Sequence, residues 1–334
     1  MKSSVSFIER KKYVKLSTLK ILTTILLIVT PLTDYAQGYD GSESGISGSL
    51  QGGAYFLQTN SQLYTEDTDR QTNNLDGPAD TNQEFEGLLS IFLRYQFESG
   101  TAIYAGNPLE VGQDLALSAG VSQPMGDTTL DMAVTWIPIN EVWKNPYETE
   151  DSRDITDMDA YGLRIKLLEI GGSPWEGTYN IDRIDIEKDE IGDLEKDLKR
   201  DGWKHELGAK YNMSLNQEFS LRPELSVSCG DIEGPSNSYL GVNGGVLLQH
   251  IQSLWVFTGQ VTGFYKQYQK SHQLFDKTRQ EFGIMTLAQA VRFNLFGVEP
   301  LFASCVAGYA MSDANIDFFD NQTIIGLVSV GINF

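Results

Sequence analysis

The chain has 334 residues, a net charge of −20 and a slightly negative mean hydropathy. This acidity argues against nucleic acid as a partner, because phosphate binding requires basic surfaces. The moderate hydrophobicity argues against a bundle of membrane helices, which would need repeated apolar windows of about 20 residues.

Residues 1–36 have the three parts of a secretory signal peptide. Six basic side chains precede or border the apolar run 21–30, Pro31 follows that run, and Ala36 offers a cleavage point. Such a run is too short to span a bilayer and fits the apolar centre of an export signal. We therefore expect secretory export and cleavage, which leave residues 37–334 with 19 basic and 43 acidic side chains, a net charge of −24.

From residue 45 onward the dominant period is two, which indicates strands with two unlike faces. Segment 130–136 carries its apolar side chains at even positions, and segments 161–167 and 207–213 carry theirs at odd positions. Fourteen strands are predicted, with 12 as the alternative if the short third strand and a neighbour do not form. Their approximate ranges are 46–58, 84–97, 101–107, 114–123, 128–138, 158–170, 175–186, 203–214, 218–229, 238–250, 254–267, 281–295, 299–311 and 322–334.

Alternation alone does not distinguish a soluble sandwich from a membrane barrel, but the connections favour the barrel. Tight turns at about 99–100, 126–127, 171–174, 216–217, 252–253 and 296–297 alternate with long polar loops. Outer-membrane barrels combine short periplasmic turns with long external loops. The predicted long loops cover roughly 60–83, 139–156, 187–201, 230–237, 269–280 and 312–320.

The end of the sequence and the aromatic residues also favour a barrel. Segment 321–334 is an amphipathic strand that finishes on Phe334, which resembles the strand that the barrel-assembly machinery recognises. Aromatic side chains near strand ends predict interfacial girdles: Tyr95, Phe97, Trp136, Trp175, Trp203, Phe219, Trp255, Phe257, Phe293 and Tyr309. The predicted fold is therefore all-β, a transmembrane antiparallel up-and-down β-barrel in the cell outer membrane, with residues 37–334 as its single domain.

A barrel of this size is too wide to be filled by wall side chains alone, so its interior must hold water, a ligand or an inserted segment. Charged residues on the inward-facing positions are candidates for lining such a path, or they pair across strands and brace the wall. The pore-lining candidates are Arg94, Asp131, Arg164, Lys166, Lys204, Glu206, Lys210, Arg222, Glu224, Lys266 and Arg292. Loop 187–201 is interpreted as a solvated loop, with a short helical plug as the alternative.

The sequence contains no pattern typical of catalysis or of a bound cofactor or metal. Its three histidines form no metal-binding spacing, and no nucleophile elbow or phosphate loop is present. The two cysteines, Cys229 and Cys305, are too few for a disulfide scaffold. We expect neither an enzyme nor a cofactor.

Four short motifs, at residues 106–113, 143–149, 159–166 and 201–203, carry a family resemblance. They resemble an uncharacterised proteobacterial family of the Vibrio and Shewanella kind, a domain of unknown function regarded as porin-like. The resemblance implies an outer-membrane barrel and supplies no catalytic residues.

Three functions remain open at this point. The first is a porin-like channel for passive diffusion of small hydrophilic solutes or ions. The second is a closed structural or adhesive surface barrel, and the third is a transporter of lipids or hydrophobic solutes, for which inward Phe92, Leu247, Val256 and Phe264 are the indications. Expected partners are outer-membrane lipid, lipopolysaccharide and the barrel-assembly machinery.

Overall fold

A computed structural model describes residues 44–65, 74–107 and 116–334, apart from the side chains of 138–140. The signal peptide prediction lies outside these residues. The strands are β1 (Gly45–Thr59), β2 (Asn82–Gln96), β3 (Ala102–Gly106), β4 (Leu117–Met125), β5 (Thr128–Trp143), β6 (Ile155–Leu168), β7 (Trp175–Ile186), β8 (Gly202–Tyr211), β9 (Met213–Ser214), β10 (Phe219–Ile232), β11 (Tyr239–Gln252), β12 (Trp255–His272), β13 (Lys277–Leu295), β14 (Val298–Ala314) and β15 (Asn321–Asn333).

One short α-helix, α1 (Glu190–Leu194), lies between β7 and β8, and single 3₁₀ turns lie at Ile170–Gly172, Lys196–Leu198 and Asp317–Phe319. Within the described residues, no helix is long and apolar enough to cross a membrane.

The strands form one closed antiparallel ring. Each strand pairs with its neighbours in chain order, and β15 pairs with β1 from Ser49–Asn333 to Thr59–Thr323. The two-residue β9 pairs with β10 just beyond the end of β8, so it continues β8 rather than adding a separate position to the wall. The ring therefore has fourteen positions, which confirms the predicted number over the alternative of twelve.

The two faces of the wall have opposite chemistry, and the apolar one faces out. On β8 and β10, the outward side chains of Leu207 and Leu225 are 59% and 61% exposed, whereas inward Lys210 and Ser226 are each only 3% exposed. A soluble protein would bury the leucines and expose the lysine. Since apolar-out alternation is typical of strands that face lipid, the outer face is a membrane surface.

The connections divide between the two ends as predicted. The tight turns lie at the same end as the start of β1 and the end of β15, and the long connections lie at the other end. Following the usual arrangement of such barrels, we call these ends periplasmic and extracellular. Residues 108–115, between β3 and β4, lie outside the described residues.

Several strands continue well above the membrane. β12 and β13 have 18 and 19 residues, whereas about 9–11 residues suffice to cross a bilayer. On β12 the outward side chains change from apolar, ending at Tyr265, to polar Gln267 and Gln269. The predicted loops 139–156 and 269–280 were therefore too long, because backbone pairing continues where the lipid-facing pattern has ended.

Aromatic side chains occupy the outer face near both ends, as expected for girdles. Tyr95, Trp175 and Trp255 are 39–50% exposed near the periplasmic turns, and Trp203 is 40% exposed at the extracellular end. Phe293 was wrongly assigned to a girdle: its side chain packs inward against a buried cluster that contains Phe302.

The seam between β15 and β1 ends at Phe334. Its backbone N–H donates to Gly48 O at 3.0 Å, and the Gly48 N–H donates back to Phe334 O at 2.8 Å. The Phe334 ring lies against Gly48, where an added Cβ would come within 2.9 Å of it. Ile324, Val328, Val330 and Ile332 share the exposed outer face with Phe334.

Candidate functional site

The inner wall carries ten of the eleven predicted pore-lining residues. Their positions alternate with exposed apolar residues, and each lies on the face opposite to those residues. They are Arg94 on β2, Asp131 on β5, Arg164 and Lys166 on β6, Lys204, Glu206 and Lys210 on β8, Arg222 and Glu224 on β10, and Lys266 on β12.

Arg292 is the exception, and its assignment to the lumen was wrong. It stands opposite Trp255 in the β12–β13 register and opposite Ala303 on β14, both on the outer face. Its guanidinium carbon lies 5.4 Å from the centre of the Trp255 ring. The neighbouring Val291 points inward instead, into a cluster with Val256 and Phe302. The sequence alternation around Arg292 is obscured because both flanking residues are apolar.

The inward charges of β5 to β10 form one continuous surface, the charged arc. Opposite charges stand directly across from each other on neighbouring strands: Asp131 opposite Lys166, Asp182 opposite Lys204, and Glu176 opposite Lys210. Cross-strand pairs on one face are close enough to stabilise each other. The arc contains five basic and five acidic side chains: Arg164, Lys166, Lys204, Lys210, Arg222, Asp131, Glu176, Asp182, Glu206 and Glu224.

The charged arc contains a buried ion pair between Lys210 and Glu224. Lys210 Nζ lies 3.8 Å from Glu224 Oε2, and the two side chains are only 4% and 7% exposed. Gln260 Nε2 donates to Glu224 Oε1 at 3.1 Å, and Thr262 Oγ1 donates to the same atom at 3.4 Å. A cavity of about 10 Å³ beside Glu206 has room for roughly one water molecule.

Inward glycines allow large side chains to lie along the wall. The Phe264 ring lies over Gly283 and the Phe302 ring over Gly331, where an added Cβ would approach ring atoms to 2.2 Å and 2.3 Å. In the same way the Tyr104 ring covers Gly120, and its hydroxyl donates to Asp131 Oδ1 at 2.8 Å. Side chains that lie tangentially take less room from the barrel axis than side chains that project radially.

The wall next to the charged arc, from β11 to β14, is partly apolar, and we call it the apolar arc. Buried Leu247, Met285, Leu287 and Ala310 form one cluster on β11, β13 and β14, and a second cluster lies nearer the periplasmic end. Inward Phe92, Leu247 and Val256 are 5–7% exposed, in agreement with their predicted inward position.

Loops cross the extracellular mouth and pack together there, an arrangement that we call the cap. Around the ring, four strand positions lie between β6 and β12 and six lie between β13 and β5, so the β5–β6 and β12–β13 connections start on nearly opposite sides. Tyr147 from the first connection nevertheless contacts Phe275 from the second, with ring centres 6.0 Å apart. Tyr147 is also 5.0 Å from Phe318 of the β14–β15 connection.

The centre of the cap is a buried aromatic cluster that contains one cationic side chain, Arg279. Phe318 and Phe319 are 1% and 7% exposed. The Arg279 guanidinium lies between the rings of Tyr268 and Phe319, 3.5 Å and 3.9 Å from their centres. Burial raises the pKa of Tyr147 to about 12, which keeps its hydroxyl protonated and able to donate a hydrogen bond.

Arg153 connects two loops from within the cap. It is 1% exposed, and its guanidinium donates to the backbone oxygens of Gln62 at 3.1 Å and Pro146 at 3.2 Å. The same group lies 4.5 Å from the centre of the buried Trp143 ring. A buried cation held by hydrogen bonds and a ring face fixes the β1–β2 and β5–β6 connections to each other.

Loop 187–201 is part of the cap, so the interpretation as a solvated loop was wrong. Ile191 and Leu198 are 4% and 0% exposed, whereas Leu194, expected on the same face, is 72% exposed. Arg200 forms an ion pair with Asp189 at 2.5 Å and donates to Lys144 O at 3.0 Å. The sequence shows the apolar residues of the loops but gives no indication that they meet, because they come from connections far apart in the chain.

Together the closed ring, the apolar outer face and the division of the connections define a β-barrel of the outer-membrane type with a porin-like fold. The chain belongs to the family described as "Protein of unknown function (DUF2860)", whose model matches residues 45–334. No curated protein sequence is detectably similar to it.

Solved barrel structures are similar at low identity. They include the outer membrane channel DcaP of Acinetobacter baumannii (9% identity, TM-score 0.46, 89% of this chain and 99% of that chain) and the loop L8 deletion mutant of OmpT from Vibrio cholerae (8%, 0.43, 88% and 100%). An anion-selective porin from Comamonas acidovorans is 10% identical, with a TM-score of 0.41 over 87% of this chain and 99% of that chain. These values are too low to transfer a function.

Proposed function

We propose that the barrel is a porin-like channel for small hydrophilic solutes or ions, and that its cap controls access from the extracellular side. The observation that carries this proposal is the charged arc. Ten ionisable side chains face inward on five adjacent strands, and burying that many charges in a dry interior would be costly. Water in the lumen would lower this cost, and charged linings of this kind select among permeating ions.

The composition of the charged arc predicts weak ion selectivity. Its basic and acidic side chains are equal in number and stand opposite each other, so neither sign dominates the path. Neutralising one member of the Lys210–Glu224 pair should therefore leave the charge of the other uncompensated. Lys210→Gln should shift the ion preference toward cations, and Glu224→Gln should shift it toward anions. Lys188→Gln, at an exposed loop position, is the matched control and should leave the preference unchanged.

The experiment is single-channel recording of the purified protein in a planar lipid bilayer under a potassium chloride gradient. The wild type is compared with a variant in which Tyr147 and Phe318 are both replaced by serine, which removes the contact across the mouth. Stable conductance steps in either protein support a channel. Steps in the variant alone would show that the cap closes the channel in the wild type. The reversal potentials of the charge variants then test the charged arc.

A closed surface barrel is the second candidate, and the cap is the observation that favours it. In this alternative the packed loops form a permanent outer surface and the inward charges brace the wall. Silence from both the wild type and the cap variant, with folding shown by heat-modifiable gel migration, would reject the channel in favour of the closed barrel.

A further inference from the structure

The outer wall has a recess on β13, β14, β15 and β1, near the periplasmic end. Its volume is about 580 Å³, within the roughly 300–1,000 Å³ that small-molecule sites occupy. The floor carries small side chains on β1, β13 and β14, and Val328 and Val330 line it on β15. Those small residues are Gly52, Ala54, Ala290, Ala303 and Cys305.

The recess is bordered by Arg292 and Trp255, which stand opposite each other in the register. Trp255 is the first residue of β12, so this border lies at the level of the periplasmic membrane interface. A cation on the lipid-facing wall costs about 2–4 kcal/mol at the bilayer midplane and only about 0–1 kcal/mol near the interface. Arg292 is therefore tolerated here at the depth of the lipid phosphates.

Arg292 differs from the comparable arginine at the other end of the barrel. Arg183 also lies over a tryptophan on the outer face, 5.7 Å from the centre of the Trp203 ring, but it forms an ion pair with Glu233 at 3.3 Å. Among the residues that the structure describes, no carboxylate lies within 4 Å of the Arg292 guanidinium. Arg292 thus offers its donors to an anion from outside the chain, and a planar guanidinium suits a phosphate.

We propose that this recess binds one phospholipid of the inner leaflet, with the phosphate on Arg292 and an acyl chain along the small-residue floor. The position of a cation directly at the headgroup end of an apolar recess matches the division of a phospholipid into an anionic head and an apolar tail. A second copy of the barrel is the competing occupant, because small residues also permit close protein packing within a membrane. The site does not depend on whether the barrel conducts.

The experiment is native mass spectrometry of the protein in mild detergent with added phosphatidylglycerol. The wild type should retain phospholipid after detergent removal, and Arg292→Gln should lose most of it. Ala303→Leu fills the recess without changing any charge and should also lose lipid. Arg183→Gln, the matched arginine with an acidic partner, should retain lipid as the wild type does. Heat-modifiable migration establishes that each variant is folded.

Two outcomes would overturn the proposal. Equal lipid retention by the wild type and Arg292→Gln would show that Arg292 does not bind the lipid phosphate. Oligomers that cross-link through Cys305, which is exposed and lines the recess, and that persist in lipid-free detergent would assign the recess to a second copy of the chain.

Discussion

The Tyr147 hydroxyl lies 2.9 Å from His272 Nε2, and this hydrogen bond joins two connections that start on nearly opposite sides of the barrel mouth. His272 is 1% exposed. It is the last residue of β12 and lies above the apolar outer belt, which ends near Tyr265 on this strand. The two rings are 5.0 Å apart.

Acidification should loosen the cap. Burial, together with the nearby Arg279 cation, lowers the pKa of His272 to about 4, so the packed cap favours the neutral imidazole. The stabilisation of the packed state is fully present above the ordinary pKa of about 6.5 and is lost as the pH falls toward 4. The difference corresponds to about 3 kcal/mol at most. Hydrogen exchange in residues 144–154, corrected for intrinsic rates, should accelerate over this range.

His272→Gln is the control for this titration. Glutamine accepts a hydrogen bond from Tyr147 but does not titrate, so its cap should exchange at a rate that is independent of pH below neutrality. An equal acid response in the wild type and His272→Gln would assign the response to other groups. The Tyr147 hydroxyl, which contacts His272, stays protonated over this range because burial raises its pKa to about 12.

Replacing Arg153 should open the cap without unfolding the barrel. Arg153→Met removes the donors to Gln62 O and Pro146 O, and hydrogen bonds from a charged group are worth about 1.5–3 kcal/mol. Limited proteolysis within residues 144–154 should become at least about ten-fold faster, which is the factor expected for 1.4 kcal/mol or more. The urea midpoint of the barrel, measured in lipid vesicles, should stay the same. A lowered midpoint would show that Arg153 supports the wall as well.

Gly283 and Phe264 should show strong energetic coupling. Gly283→Ala places a Cβ within 2.2 Å of the Phe264 ring, which forces the ring away at a cost of about 1–3 kcal/mol. In Phe264→Ala the ring is absent, so the same glycine substitution should cost much less. Gly259→Ala, at an outer position of β12 with open space around it, is the control. Additive effects in urea unfolding of the double variant would contradict the packing described.

Replacing one member of the Lys210–Glu224 ion pair should lower the free energy of unfolding more than replacing both members. Lys210→Met leaves Glu224 buried without its cation, and single losses from buried pairs cost about 3–5 kcal/mol. The double variant Lys210→Met, Glu224→Met leaves no unpaired charge and should be closer to the wild type. Urea midpoints of the single and double variants check this order, and equal losses in all of them would indicate that the pair is well hydrated.

The sequence predicted the wall far better than the mouth. Period-two alternation depends only on which side of a strand meets lipid, so the strand number and ten of the inner charged positions could be read locally. Arg292 was misplaced because its neighbours Val291 and Phe293 are apolar, yet both point inward. The cap was missed because the contact of Tyr147 with His272 joins residues that are 125 positions apart, and no local pattern reports such a contact.

The seam between β1 and β15 makes the order of synthesis important for folding. The bond from Gln51 to Ser329 closes a loop of 278 residues, and contacts of such high contact order form slowly. Until β15 has been made, the curved sheet has two free edges whose backbone groups cannot be satisfied in hydrocarbon. The nascent barrel must be kept unfolded, or its edges shielded, until its last strand is available.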